Sequence, residues 1–493
     1  MAANAAPATP PIQIVPPVRV PDALDRFGER LADRVNPIIV KEVRQGLRTR
    51  VFWIFFSLML VSCLFISLFF FAANDGIGER SGQPAFISFF VCLALVQFFV
   101  IPYASYRSMA REAEDETWVL LTLTGLGPRK ILAGKLGSSV LQGSLYASAA
   151  TPFLLFSYFL NGIDLPTIIV GVAVSIAYQV FLVSISVSLA TLAESRIVRA
   201  LLHFVLLGVL LQGLGFGIAG SVAIGEFAQK VSGSAAFWIS TISVFFGMLT
   251  TGLLLFEAAA ARLSLPTEDY TRGPRLVYIV QFVGAALLFA WGWFASNEAE
   301  VLTAGSVTLS LYATLVGLFV ASDRDGMAKV HWAHGGRFSF LKPGGFRGYL
   351  LVVGMLFAMV AAFFMLALFD GKLGMGPMLV LLAAPAFALL MLSLPIVVSR
   401  WIPHPPWQTP AMIRLVFLGL IVLMVGVPPL IGEIVSDADD LFLNALNPVV
   451  GLINIERQSH DGVALALLVW GVALGVGASA LFSLRTRDTE WLA

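Results

Sequence analysis

The sequence predicts an all-α, polytopic membrane protein of about twelve spanning helices, with two six-helix halves as its candidate plan. Three observations lead there. The 493 residues are 58% apolar and only 12% charged, about half the charged share of a soluble domain (roughly 25%). Twelve apolar runs are long enough to cross hydrocarbon, which takes about 20 residues. Lys and Arg are sorted predominantly to one side when those runs are treated as alternating crossings.

The runs lie near 51–73, 84–105, 137–160, 166–192, 200–222, 235–256, 276–295, 302–321, 349–369, 377–399, 413–433 and 463–484. None carries Lys, Arg, Asp or Glu toward its middle; Arg414 and Glu433 stand at the ends of the eleventh. With the N-terminus inside, 27 of the 31 basic residues fall on inner segments, and only Arg80, Lys230, Lys372 and Arg457 fall outside. A missed or false crossing would scramble this division. The reading is a multi-pass inner-membrane protein with both termini cytoplasmic. A net charge of +1 offers no field for nucleic acid. Cys63 and Cys92 both lie in apolar runs, so no disulfide framework is expected.

Residues 1–35 are Pro-rich (Pro7, Pro10, Pro11, Pro16, Pro17, Pro21) and read as a disordered cytoplasmic tail. A basic amphipathic helix follows. Asn36 is a suitable N-cap and Pro37 a suitable first residue. Leu31, Val35, Ile39, Val43 and Leu47 recur every four residues, while Lys41, Arg44 and Arg48 lie off that stripe. Such a helix belongs in the membrane interface, with its cations toward anionic headgroups.

The segment 107–135 joins the second and third runs. Glu112, Glu114, Asp115 and Glu116 are expected to open an apolar helix containing Thr117, Trp118, Leu120, Leu121 and Leu123, because acids suit a helix N-terminal turn. Gly125 ends that helix, Gly127 and Pro128 start the next, and Lys135 lies in its second turn. The leucines and Trp118 are too apolar for water, since burying each is worth about 1.5–3 kcal/mol.

These two elements resemble those of bacterial ABC exporter permeases of the second type. The stretch from Asn36 to Arg50 is similar to that family's amphipathic entry helix. The stretch from Glu116 to Lys135, with its acidic turn, Thr117, Leu120-Leu121, a Gly/Pro break and a terminal Gly-Lys, is similar to its coupling segment. The resemblance covers about residues 35–160, and the six-run grouping extends it to about 257. It implies a permease half at 36–257 whose coupling segment docks on a separate cytoplasmic ABC-type ATPase subunit, so that ATP and Mg²⁺ belong to the partner and no cofactor to this chain. The contact residues it implies are Glu112, Glu114, Glu116, Thr117, Leu120, Leu121, Gly125 and Lys135. The family usually has six crossings and works as a pair. Here residues 258–493 repeat the loop plan, but the inner loop 322–348 lacks the acidic turn and the Leu-Leu pair. This second half is either a degenerate permease half or a scaffold, and further membrane subunits are compatible with either.

No phosphate loop of the Gly-x-x-x-x-Gly-Lys-Ser/Thr type occurs, so the chain is expected to be no enzyme and to hydrolyse no ATP alone. His331 and His334 stand in a Gly-rich loop without further ligands near them. His203 reads as half of an interhelical hydrogen bond. Gln97, Gln142, Gln179 and Gln212 are polar groups within crossings; with Tyr146 or Tyr178 they are the residues available to line a pathway. Gly213/Gly217 and Gly471/Gly475 permit close helix packing. The outer loop 434–462 is acidic and carries an apolar stretch broken at Asn447-Pro448, where short helices are expected. Two alternatives to the permease remain: a membrane scaffold for an ATPase, and a secondary transporter. The second is disfavoured by the lack of charge at mid-membrane depth.

Overall fold

The computed structural model describes residues 37–73, 81–114, 127–160, 163–192, 196–231, 235–264, 270–322, 339–401, 410–428, 446–457 and 459–492. The described residues form helices joined by turns, with no strand among them. The first half comprises α1 (Pro37–Leu47), α2 (Arg50–Ala73), α3 (Gly82–Ala94) continued through a π-helical turn (Leu95–Val100) into α4 (Ile101–Glu114), α5 (Pro128–Phe159), α6 (Leu165–Thr191), α7 (Arg196–Val231) and α8 (Ala235–Leu263). The second comprises α9 (Arg272–Ser296), α10 (Glu300–Leu315), α11 (Gly317–Ala321), α12 (Gly345–Asp370), α13 (Met375–Trp401), α14 (Pro410–Ile421) with a second π turn (Val422–Gly426), α15 (Val450–Arg457) and α16 (Ser459–Leu492).

Nine helices among the described residues are long and apolar enough to cross a membrane. The protein is therefore multi-pass, while the expected count of twelve is not reached on that measure. The other three apolar runs coincide with helices that fall short for separate reasons. Helix α5 is long enough but is diluted by Ser, Gly and Gln. The run 302–321 is divided at Val316 into α10 and α11. The run 413–433 is described only to residue 428, and its apolar part covers Ile413–Gly426.

Apolar side chains gather into two cores. One is drawn from Phe52 through Ala260 and the other from Tyr278 through Leu484. In the first, α6 is central and packs on α4, α5, α7 and α8. In the second, α13 is central, with 83% of its span buried against α10, α12, α14, α15 and α16. Helix α13 keeps Pro385 and Pro395 in its interior, a placement that neighbouring helices make tolerable in a membrane. Helix α2 is the opposite case: 11% of its span is buried, and Trp53, Ile54, Phe65 and Phe69 face outward. In a membrane protein such a face is solvated by lipid. The halves meet where α8 packs on α9, with Gln281 donating to Thr251 at 2.8 Å.

The expected short helix after Asn447-Pro448 is α15. The Asn447 side chain caps it, accepting from the Val449 and Val450 amides at 3.0 and 3.3 Å. Gly213 and Gly217 do provide close packing, since a Cβ there would meet Leu182 and Phe98. Gly471 and Gly475 differ: a Cβ at either meets nothing within 4 Å, so that pair packs on no other described element. Cys63 and Cys92 are both free thiols.

The second half is fastened at one end by Arg275. Its buried guanidinium donates to the carbonyls of Phe340 and Gly344, both at 3.0 Å, and also to that of Lys342. From α14, Arg414 reaches the Ser322 hydroxyl at 3.1 Å and lies over the Phe319 ring. Arg275 thus holds the chain that leads into α12 and reaches the Val320 carbonyl at 3.5 Å, while Arg414 holds the end of α11. Replacing Arg275→Met is expected to destabilise the purified protein by at least about 1.5–3 kcal/mol, the range for a hydrogen bond to a charged group, read as a lower midpoint in detergent unfolding.

Candidate functional site

The site grows from the way α1 lies on α5. Two glycines permit the approach. A Cβ at Gly137 would sit 2.8 Å from the Ile39 side chain, and one at Gly46 would sit 2.6 Å from the Gln142 amide. Helix α1 covers Pro37–Leu47. Its Ile38 is buried, Glu42 is half-buried, and Lys41, Arg44 and Arg48 point away from the bundle, exposed along one face. The amphipathic division therefore stands, with one addition: the packed face carries a carboxylate, Glu42.

That carboxylate has a partner. The Lys135 side chain is 3% exposed. Its Nζ donates to Glu112 Oε1 at 2.9 Å, to Ser108 Oγ at 2.8 Å and to Glu42 Oε1 at 3.4 Å. Ser108 Oγ lies 3.5 Å from the second Glu42 oxygen. One ammonium with three donors joins α1, α4 and α5. Isolated, it would be too costly to bury; two carboxylates and a hydroxyl satisfy it.

The contacts continue inward as a polar ladder between antiparallel α4 and α5. Past Lys135, the hydroxyls of Ser105 and Ser139 lie 2.9 Å apart. Deeper still, the π turn presents Gln97, whose amide donates to the Gly143 carbonyl at 3.2 Å. From the other side of α5, Gln179 of α6 donates to the Ser139 carbonyl at 2.7 Å. A Cβ at Gly143 would collide with the Gln179 amide, so a glycine is required there. The sequence of groups runs from charge through hydroxyl to amide as depth increases.

This geometry revises one expectation. Glu112 and Glu114 do not open a new helix; they lie in α4, which runs on from Ile101. Gly127 is extended and Pro128 is the first residue of α5, as predicted. Glu116, Thr117, Leu120, Leu121 and Gly125 lie outside the described residues, as do His331 and His334, and nothing is described of the Glu114 side chain. Sequence reasoning singled out Lys135 but missed Glu42 and Ser108. The signal was present: Glu42 is the one acid in a helix otherwise basic.

The residues expected to line a pathway are placed differently from one another. Gln97 and Gln179 are buried glue, as described. Tyr146 is buried and donates to the Phe52 carbonyl at 2.9 Å. Gln142 packs under α1, and Gln212 is exposed on α7. His203 lies 3.3 Å from the Tyr103 hydroxyl, an interhelical contact between α4 and α7. A cavity of about 340 Å³ is lined elsewhere, by Tyr178 and residues of α3, α6, α7 and α8, and by none of Gln97, Gln142, Tyr146, Gln179 or Gln212.

At the same edge of the protein, Arg129 and Glu257 pair at 3.0 Å between α5 and α8. Gly273 of α9 packs on that pair so closely that a Cβ would overlap the Glu257 carboxylate. The start of α5 thus touches both halves.

No family model, curated protein or solved structure matches the chain.

Removing Lys135 alone, as in Lys135→Met, leaves two carboxylates facing each other and is expected to cost about 3–5 kcal/mol, the range for breaking a buried pair. Adding Glu112→Gln and Glu42→Gln to that variant is expected to restore much of the loss. Unfolding midpoints of the single and triple variants in detergent test this.

Proposed function

We propose that this chain is the membrane-spanning permease subunit of an ATP-binding cassette transporter, working in export and driven by a separate cytoplasmic ATPase. The observation that carries the reading is the Lys135 node. It binds the interfacial helix α1, the end of α4 and the start of α5 into one unit, and the segment 115–126 connects those two helix ends. A force applied to that segment acts directly on α4 and α5 and, through the polar ladder, on the interior of the first half. The resemblance of Asn36–Arg50 and Glu116–Lys135 to an entry helix and a coupling segment supports the same reading.

In this proposal ATP and Mg²⁺ act on the partner, and the present chain performs no chemistry. Its α1 lies in the cytoplasmic face of the inner membrane, with Lys41, Arg44 and Arg48 toward anionic lipid. Residues 258–493 act as the second half of the permease or as its scaffold. Among the described residues, His203 is the Asp, Glu, Lys, Arg or His side chain nearest mid-span of an apolar helix, and it is engaged by Tyr103. This weighs against a gradient-driven carrier, since ion-coupled transport generally places ionisable groups within the membrane. A membrane scaffold for an ATPase is the second reading. It shares the Lys135 node and differs in moving no cargo.

Co-purification with an ATP-binding subunit is expected and should be lost in Glu116→Lys and in Leu121→Asp; retention of the partner by both variants rejects the docking surface. Vesicles holding the intact complex should accumulate cargo only with ATP, and ATP hydrolysis without movement of any cargo would favour the scaffold. Twelve crossings in one chain are expected to supply both halves, so native mass spectrometry should find one copy per complex; two copies would overturn that.

A further inference from the structure

The cavity of about 340 Å³ lies in the first half, at the end of the helices remote from Lys135. Its walls come from the first half of α6 (Val170, Val174, Tyr178), the second half of α7 (Phe216, Gly217, Gly220) and the first half of α8 (Val244, Met248), so that it reaches from that end to mid-helix. It exists because α7 and α8, though consecutive, touch each other at few points and pack separately on α6. Its floor is built. The π turn turns Phe98 into edge contact with Tyr178, ring centroids 4.8 Å apart, and Gly217 makes room for the Phe98 ring, which a Cβ would approach to 2.4 Å.

The wall chemistry restricts the occupant. It includes no Lys, Arg, Asp, Glu or His. Its hydroxyls are mostly committed to carbonyls: Ser175 to Val172, Ser221 to Ile218, Ser240 to Phe237 and Tyr178 to Gly213, at 2.7–2.9 Å. These donors are therefore spent within the protein. The volume falls at the low end of the range of ligand sites, about 300–1,000 Å³. Phe216 and Val244 flank the cleft and are 64% and 47% exposed. They belong to helices whose spans are only 17% and 6% buried, so in a membrane the cleft between them faces lipid.

We infer that this cavity is a lateral site for one acyl chain of a bilayer phospholipid, drawn from the leaflet on the side remote from α1. The chain enters between α7 and α8 and ends against Phe98 and Tyr178. The inference needs only a membrane-spanning protein and stands whether or not an ATPase docks on the opposite side.

Gly220 offers a clean test. A Cβ there meets nothing within 4 Å, so Gly220→Leu extends into the cleft without displacing backbone. Gly215, exposed on the same helix and equally free of neighbours, is the control. The full-length protein is reconstituted in phosphatidylethanolamine–phosphatidylglycerol vesicles containing a phosphatidylethanolamine with a mid-chain diazirine, irradiated, and mapped by peptide mass spectrometry. Adducts are expected on 170–178 and 237–248 in the wild type and in Gly215→Leu, and are expected to be lost in Gly220→Leu while labelling of α2 persists. Wall labelling in the wild type no greater than on α2, or equal wall labelling in Gly220→Leu, overturns the site. Unfolding midpoints of the variants, matched to wild type, show that lost labelling is not lost folding.

Discussion

A single ammonium group sets the organisation of the first half. Lys135 is almost fully buried at the edge of the bundle, and a cation there is tolerable only with its partners in place. Those partners come from two other helices, so the position of α1 on α5 and the angle of α4 against α5 follow from one electrostatic requirement. Glycines at 46, 137 and 143 are the steric counterpart. They let the helices come near enough for short side chains to bridge them, a packing mode suited to a medium in which hydrophobic contrast between helices is absent.

The second half solves a comparable problem with different chemistry. Arg275 and Arg414 hold backbone carbonyls and a hydroxyl rather than carboxylates. A guanidinium suits that task because its donors are fixed in a fork and remain charged. The two halves are thus alike in having separate cores and a cationic anchor at one end, and unlike in how the anchor is satisfied. Contact between them at the Arg129–Glu257 pair gives the start of α5 a place in both.

The fold was largely legible from hydropathy, because a spanning helix has little freedom in length or composition. What escaped was physical in origin. Helix α5 was read as a crossing at 137–160, yet it stands apart from the nine apolar spans because it carries Ser139, Gln142 and Gly143, the residues that hold it to its neighbours. The break at Val316 leaves no mark in composition. Glu112 was read as opening a helix because acids favour N-terminal turns, yet it lies within α4, where a lysine 23 residues later in sequence pairs with it; local rules cannot see such a partner. The Lys135 node was half legible, since the lysine stood out in a motif while Glu42 was hidden among cations. The cavity between α7 and α8 was not legible, because it arises from two helices that fail to touch.

The π turn at Leu95–Val100 has a mechanical meaning. It holds one residue more per turn than the α-helical rod on either side of it. Were that surplus to migrate along the rod, everything it passed would rotate by about 100° and advance by about 1.5 Å, the step of one residue in an α-helix. Ser105, Ser108 and Glu112 would then swing off the α5 seam together, and Phe98 would leave Tyr178. Such a step would trade one set of neighbours for another without melting the rod.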